Sequence, residues 1–411
     1  MDLPHKQETL PKQQTERVRF RSLDVFRGAT VALMILVNNP GSWSAMYKPL
    51  SHAKWHGCTP TDLVFPFFLF AVGNALALVM RNVSQLPSQK FWWRVAKRTS
   101  LIFLIGLVLN MSPFVRWDEQ NQLVFKGWSD LRYLGVLQRI AICFGGASVI
   151  IWMCGKGNCP GTVLWTAIGI LVGYCLACML AGEPGNPYSL EGYFGTTLDR
   201  YLLGEKHLYR GEGVPFDPEG IASTVPAIAQ VMLGWWVGQK IATSKNRPEL
   251  IANLFVWATG FLMIAYAWQL EMPVNKKIWT SSFVLLTTGL AIMGLATLVY
   301  IIDARPANDN LQAESWRMAW LPFFEVFGKN PLFIFVLSGL VPRFFDLIRW
   351  QSATQNVGTP AWTTPLSGLK NLFLGLGDDP RVGSVLYSIA LLSVYWLIAR
   401  WLDRNRIHIR V

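Results

Sequence analysis

Charge is what this chain has least of. Charged residues fill only 15% of its 411 positions, against about 25% in soluble domains, while 52% are hydrophobic, with 24 Phe and 19 Trp. A soluble reading would need several domains with unusually apolar cores. The charges present are mostly positive, for a net +12; on so apolar a chain this concerns where cations lie relative to a bilayer, so the lipid bilayer is an expected partner and nucleic acid is not. Six cysteines offer neither a disulfide framework nor metal-ligand spacing. Cys175 and Cys178 stand in an apolar segment as expected packing residues, and Cys154 and Cys159 flank a short loop. No Walker-type loop and no GxGxxG occurs, which excludes the usual phosphate and dinucleotide cradles. Strand-like alternation is absent, and no internal repeat marks an inverted-repeat transporter. The first 20 residues are polar, so no cleavable leader is expected.

What is there is length of apolar sequence. A bilayer core of about 30 Å needs about 20 residues of helix, and suitable stretches recur near 24–46, 62–80, 97–113, 131–153, 162–181, 221–241, 251–270, 279–302, 322–343 and 383–402. The expected fold class is an all-α integral membrane protein, a polytopic bundle of about ten transmembrane helices. A polar tail (1–20) precedes a single domain (21–411), and the segment 366–376 is too short to span and reads as an interfacial or re-entrant helix. Lys and Arg are densest on the loops that share a side with the termini, which predicts both termini in the cytoplasm.

Only 5 histidines are present, and two fall in "LSHAKWHGCTPTDLVFPFFLF" at the edge of the second span. His52 and His56 lie four apart, the spacing of neighbours on one helical face and also of metal ligands. No third ligand follows, so no metal is expected. They read either as interfacial residues bonded to water or as a base that works near neutral pH. Asp62 opens the next span, where a carboxylate complements a helix N-terminus or could orient a histidine. The first span, "RSLDVFRGATVALMILVNNPGSW", breaks at Asn38, Asn39 and Pro40. That break is either an early helix end or a polar group facing a cavity.

Cations inside or beside spans, Arg27, Arg94, Lys97, Arg98, Arg139 and Lys329, read either as anchors and ion-pair partners (Asp24 and Glu325 being candidates) or as sites for an anionic ligand. Asp217 and Glu219 in "FDPEG" form either a capped turn or a carboxylate pair lining a pocket for a polar substrate.

The blocks "RSLDVFRGATVALMILVNN", "HAKWHGCTPTDLVFPFFLFAVGNA", "GVLQRIAI", "LDRYLLGEKHLY", "FDPEG" and "PVNKKIWTSSF" resemble, in order from about Arg21 to Trp401, those of the heparan-α-glucosaminide N-acetyltransferase family, in its bacterial NagX-type form without a luminal domain. The resemblance implies transfer of an acetyl group from cytoplasmic acetyl-CoA to the amine of a glucosamine-type amino sugar on the periplasmic side of a bacterial inner membrane, by a homodimer. It puts the family's catalytic histidine on His52 rather than His56, its asparagine on Asn38 and its aspartate on Asp62. A second Asn and a Pro follow Asn38 where the family often has Gly-rich sequence. Arg27, Arg94, Lys97, Arg98, Arg139 and Lys329 would serve the coenzyme's phosphates, and Asp217, Glu219, Trp55 and Lys277 the acceptor. His52 would act as general base or as transient acetyl carrier, with Asn38 facing the oxyanion. The alternative from another class is a transporter for a sugar or an anionic solute.

Overall fold

The computed structural model describes residues 20–83, 87–304, 319–351 and 362–409. It is a helical bundle. The helices are α1 (Arg21–Asn38), α2 (Val64–Val83), α3 (Ser88–Met111), α4 (Val136–Met153), α5 (Pro160–Ala181), α6 (Phe194–Leu203), α7 (Ile221–Thr243), α8 (Arg247–Trp268), α9 (Ser281–Leu298), α10 (Leu321–Lys329), α11 (Pro331–Phe345), α12 (Pro365–Leu374) and α13 (Pro380–Arg404). Among the described residues two small antiparallel strand pairs, the hairpin β1 (Val115–Trp117) with β2 (Leu123–Phe125) and the pair β3 (Trp350–Gln351) with β4 (Trp362–Thr363), correct the expectation of a strand-free chain. Strands of two or three residues leave no alternation to read.

Each of the ten expected spans overlaps helix, but the first, 24–46, stops at Asn38 and 322–343 falls on two helices. Among the described residues, seven helices are long and apolar enough to cross a bilayer, and α10 with α11 makes an eighth if that pair, bent by 83° at Asn330, counts as one. The segment expected as a straight span over 322–343 is therefore broken. α1 and α3 fall short because each carries several charges in its first turns: Arg21, Asp24 and Arg27 on α1, and Lys90, Arg94, Lys97 and Arg98 on α3. The chain is an all-α polytopic membrane protein. The short helix expected near 366–376 is α12.

Burial separates the middle of the bundle from its rim. The apolar window of α7 is 83% buried and that of α8 only 22%. Val256, Met263 and Ile264 on α8, with Leu176 and Leu180 on α5 and Leu397 on α13, form an apolar outer belt suited to lipid. α2 packs against α7 with backbones nearly touching. A Cβ on Gly73 would overlap the carbonyl oxygen of Val231, and one on Gly234 that of Phe70. Small residues at such a crossing let dispersion contacts and weak hydrogen bonds replace the hydrophobic drive that lipid does not supply.

The long connections gather at one end: 39–63 after α1, 112–135 after α3, 182–220 between α5 and α7, and 269–280 between α8 and α9. Cross-loop bonds tie them together, among them Trp55 Nε1 donating to Tyr188 O at 2.9 Å and Gly57 N–H to Val274 O at 2.7 Å. This loop end carries the candidate site.

Substituting Gly234→Leu wedges α2 from α7 and is expected to lower stability by about 1–3 kcal/mol, read as thermal unfolding in detergent. Gly173 on α5 has no atom within 4 Å of where a Cβ would stand, so Gly173→Leu is the matched control and should leave the midpoint unmoved. Equal midpoints for the two variants would refute a backbone-contact crossing.

Candidate active site

The chain leaves α1 at Asn38 and is held immediately. Gly41 N–H donates to Ser384 O (3.2 Å) and the Ser388 hydroxyl to Asn39 O (3.0 Å), which pins the exit to α13. A single 3-10 turn at Lys48–Leu50 leads into an extended loop, and a second, Pro60–Leu63, leads into α2. His52 and His56 therefore do not share a helical face, contrary to the spacing argument. They diverge: His56 Nδ1 lies 3.5 Å from Asn275 Nδ2, while His52 turns to Asp62.

Asp62 is 1% exposed and is surrounded by donors. Its Oδ1 lies 2.7 Å from His52 Nδ1 and 3.3 Å from the Lys276 ammonium. Its Oδ2 accepts the N–H of Thr59 (3.0 Å) and of Ala53 (3.1 Å). The Thr59 hydroxyl, with one hydrogen to give, stands 2.7 Å from Ser51 O and 3.0 Å from Asp62 Oδ2. An ionised carboxylate only accepts, so the bond to His52 puts the ring hydrogen on Nδ1 and leaves Nε2 a lone pair. The His52 side chain is 41% exposed, so the site is open to a partner.

Lys276 stands 3.1 Å from His52 Nδ1. With that nitrogen donating to Asp62, the ammonium's useful bond is to the carboxylate. Burial draws the Lys276 pKa below its ordinary value, and the negative charges of Asp62 and Glu219 oppose the shift. Cys58 is not a competing nucleophile: burial and the Asp62 charge push its thiol up to about 12, so it stays protonated at neutral pH.

The "FDPEG" carboxylates are engaged by a residue the sequence reading passed over. Arg132 grips Asp217 with two bonds, 2.9 and 2.6 Å, and also reaches Glu219. Asp217 is thus buried in a clamp rather than free to line a pocket, and Glu219 shares the same guanidinium. Asp199 accepts the Ile221 N–H at 2.9 Å and so caps α7 from a neighbouring helix. Arg139, in the first turn of α4, is 1% exposed, bonds to Ser223 and Gly220 O, and lies 5.0 Å from the Trp279 ring centre. Trp55 packs on Phe216 (5.6 Å between ring centres), and Lys277 bonds to Glu212 (2.6 Å) and Lys54 O (2.6 Å).

Asn38 lines a cavity of about 340 Å³ between α1, α3, α4 and α11, with Asn39, Asn110, Gln138 and Ser338 among its walls. His52 is not among the described residues that line this cavity. Arg132 is in the wall of Asn38's cavity and pairs with Glu219, whose charge acts on Lys276. The remaining cations lie at the opposite end of the bundle. Arg27 pairs with Asp24 (2.8 Å) within electrostatic reach of Arg98, whose guanidinium is over Phe144 (4.7 Å). Arg94 and Lys97 are exposed. Lys329 pairs with Asp403 (2.5 Å), not with the candidates Asp24 or Glu325; Glu325 is taken by Arg21. Arg139 stands apart from this cationic group. No set of three or more His, Cys, Asp or Glu able to hold a metal occurs among the described residues.

Residues 19–190 match the family model described as "Heparan-alpha-glucosaminide N-acetyltransferase, catalytic". The chain is 28% identical over 406 residues to the human heparan-alpha-glucosaminide N-acetyltransferase, an alignment covering 84% of this chain and 58% of that protein. The mouse protein of the same name is 25% identical, with 82% and 56% covered. The chain thus spans somewhat over half the length of these relatives. Asn38, His52, Asp62, Arg132 and Arg139 fall inside the matched region; Asp217, Glu219 and Lys276 lie beyond it.

Burial raises the Asp199 carboxyl to about 6, the Ile221 N–H opposing it and Asp217 reinforcing it. The folded value lies above the unfolded one, about 3.9, so stability is full below pH ~4 and falls as pH rises toward 6. Asp199→Asn keeps the acceptor for Ile221 and removes the charge. It should raise thermal stability at pH 8 by up to about 2–3 kcal/mol and change little at pH 4, measured as unfolding midpoints across that range. A gain that does not depend on pH would refute the buried charge as its cause.

Proposed function

We propose, from the match of residues 19–190 to the heparan-alpha-glucosaminide N-acetyltransferase family model and the likeness to its human and mouse namesakes, that this protein is a membrane-embedded N-acetyltransferase of that family. It takes acetyl from acetyl-CoA and passes it to the amine of a glucosamine-type sugar. The observation that carries the reading is the His52–Asp62 pair at 2.7 Å, with Lys276 beside it.

In the proposed reaction an amine must be neutral to attack. Nε2 of His52 takes the amine's proton as its nitrogen bonds to the thioester carbon, Asp62 fixing the ring and stabilising the imidazolium that forms. Collapse of the adduct breaks the carbon–sulfur bond, and the thiolate leaves with the proton from Nε2. Asn38, in the neighbouring cavity, is our candidate donor to the developing oxyanion, a role worth about 3–4 kcal/mol where such donors are removed. Arg27, Arg94, Lys97 and Arg98 are assigned to the phosphates of the donor entering from the opposite, cytoplasmic end. Lys329, tied to Asp403, and Arg139, at the loop end, are weaker candidates for that task. The loop end would then face the periplasm. Lys276 joins the machinery as the cation that holds Asp62 ionised.

The 83° break between α10 and α11 favours a second reading, since discontinuous helices form substrate sites in transporters. Transfer and transport separate cleanly in one assay. With labelled acetyl-CoA and glucosamine, purified wild type is expected to yield N-acetylglucosamine. Folded His52→Ala should lose at least about 100-fold and Asp62→Asn about 10²–10⁴-fold through the wrong ring tautomer, with acetyl-CoA binding retained. Wild type that binds neither substrate nor turns over, yet moves a solute across vesicles, would establish the transporter instead.

A further inference from the structure

An element that faces water turns its polar side chains outward and its apolar ones in. Two elements at the loop end, both outside the spans, do the reverse. On α12 and just past its end, Leu369, Leu372 and Leu376 follow at intervals of three and four, and all three are exposed, Leu372 by 65%. The one charge of this helix turns inward: the Lys370 ammonium stands 5.6 Å from the Tyr387 ring centre on α13.

The β1–β2 hairpin has the same sense. Its register sets Val115 opposite Phe125 and Trp117 opposite Leu123, so the four share one face. The Arg349 guanidinium covers Trp117, 3.9 Å from its ring centre, but Leu123 and Phe125 are exposed, Phe125 by 59%. Polar residues are gathered at the tip, in the "DEQNQ" of 118–122.

The two elements are joined to each other and to the bundle. Trp117 Nε1 donates to Leu347 O (3.2 Å) just beyond α11, and Arg349 also lies 4.4 Å from the Trp362 ring centre. Thr364, which caps α12, donates its hydroxyl to Asp346 (3.3 Å). α12 rests on the first turn of α13, where a Cβ on Gly383 would overlap Phe373 O.

That contact fixes what covers the exposed leucines. α13 is one of the helices able to cross a bilayer, and its exposed apolar stripe of Val382, Leu386, Ile389 and Leu397 begins in the same first turn. Lipid against that stripe therefore reaches the level of α12. Beside the hairpin, α11 likewise ends in exposed Phe344 and Phe345. Outward leucine and aromatic side chains at this level, continuous with the sides of spans, match the boundary between headgroups and acyl chains.

We propose that α12 and the β1–β2 hairpin are seated in the phospholipid interface of the leaflet at the loop end. α12 lies along that interface with its leucines immersed, and the hairpin adds Leu123 and Phe125 beside it. The loop end thus rests on the bilayer instead of standing clear of it. This seating is the same whether the chain transfers acetyl or moves a solute.

The test places a benzophenone amino acid at one position at a time in the full chain, in nanodiscs of phosphatidylethanolamine and phosphatidylglycerol. The positions are those of Leu372 and Phe125, with Val256 on the lipid-facing side of α8 and Gln120 at the hairpin tip as controls. After irradiation, mass spectrometry counts covalent phospholipid adducts. Yields at 372 and 125 are expected within about threefold of that at 256 and about tenfold above that at 120. Yields no higher than at 120 would put both faces in water and overturn the proposal. Cross-links to a second copy in place of lipid overturn it too, making the faces a subunit interface. Lipid at only one of the two positions breaks the shared seating and counts against it equally. A variant whose unfolding midpoint falls is replaced by its neighbour on the same face, Leu369 or Leu123.

Discussion

Asp62 is a carboxylate almost wholly removed from water at the start of a membrane helix, and much of the loop end is arranged to satisfy it. A buried charge is tolerated only with close partners and filled lone pairs. The chain meets that demand from three directions: local N–H groups of Ala53 and Thr59, the imidazole ten residues upstream, and an ammonium from the 269–280 connection, distant in sequence. The last of these is the costly one to arrange. It requires the 269–280 connection to lie alongside the 52–58 loop, which the Gly57–Val274 bond secures. His52 is oriented because Asp62 is buried, and Asp62 can stay buried because Lys276 arrives.

The second clamp obeys the same rule on the neighbouring connections. Arg132 precedes α4 and Asp217 and Glu219 precede α7, so their ion pairs set the mutual position of two helix entrances. Behind both clamps, α2 and α7 touch at Gly73 and Gly234, a contact that leaves little room to slide. Polar loops are thus carried on a scaffold that fixes them to within ångströms, the usual condition for aligning reacting groups. Arg132 also stands in the wall of Asn38's cavity, so the clamp that sets the two helix entrances borders the space beside α1.

Much of this was legible where the signal is local. The helical stretches follow from apolar run length alone, and the early end of α1 from Asn38, Asn39 and Pro40. The His52–Asp62 pairing spans ten residues of loop, short enough for the sequence to suggest it. Long-range partners were not. Lys277 is the site candidate by sequence and Lys276 is not, yet the two neighbours point apart: Lys277 to Glu212 and Lys54 O, Lys276 to Asp62. No periodicity distinguishes adjacent residues in a turn. Arg132 is equally plain in sequence, one arginine before a helix, and its value lies in carboxylates 85 and 87 residues away. The bend at Asn330 escaped because hydropathy counts apolar length and is blind to direction.

The geometry also bears on how acetyl would travel. With Nδ1 committed to Asp62, His52 has one free nitrogen, Nε2, and two tasks compete for it. In direct transfer Nε2 receives the amine's proton and later returns it to the departing thiolate. In a relay through acetyl-histidine, Nε2 carries the acetyl group when the amine attacks, so another base must take the proton. The carboxylates at hand are already engaged, Asp62 by Lys276 and His52 itself, Glu219 by Arg132. A base held by cations is a weak one. Direct transfer asks nothing of these groups beyond what their contacts already provide, and the arrangement of donors around Asp62 therefore favours it over the relay.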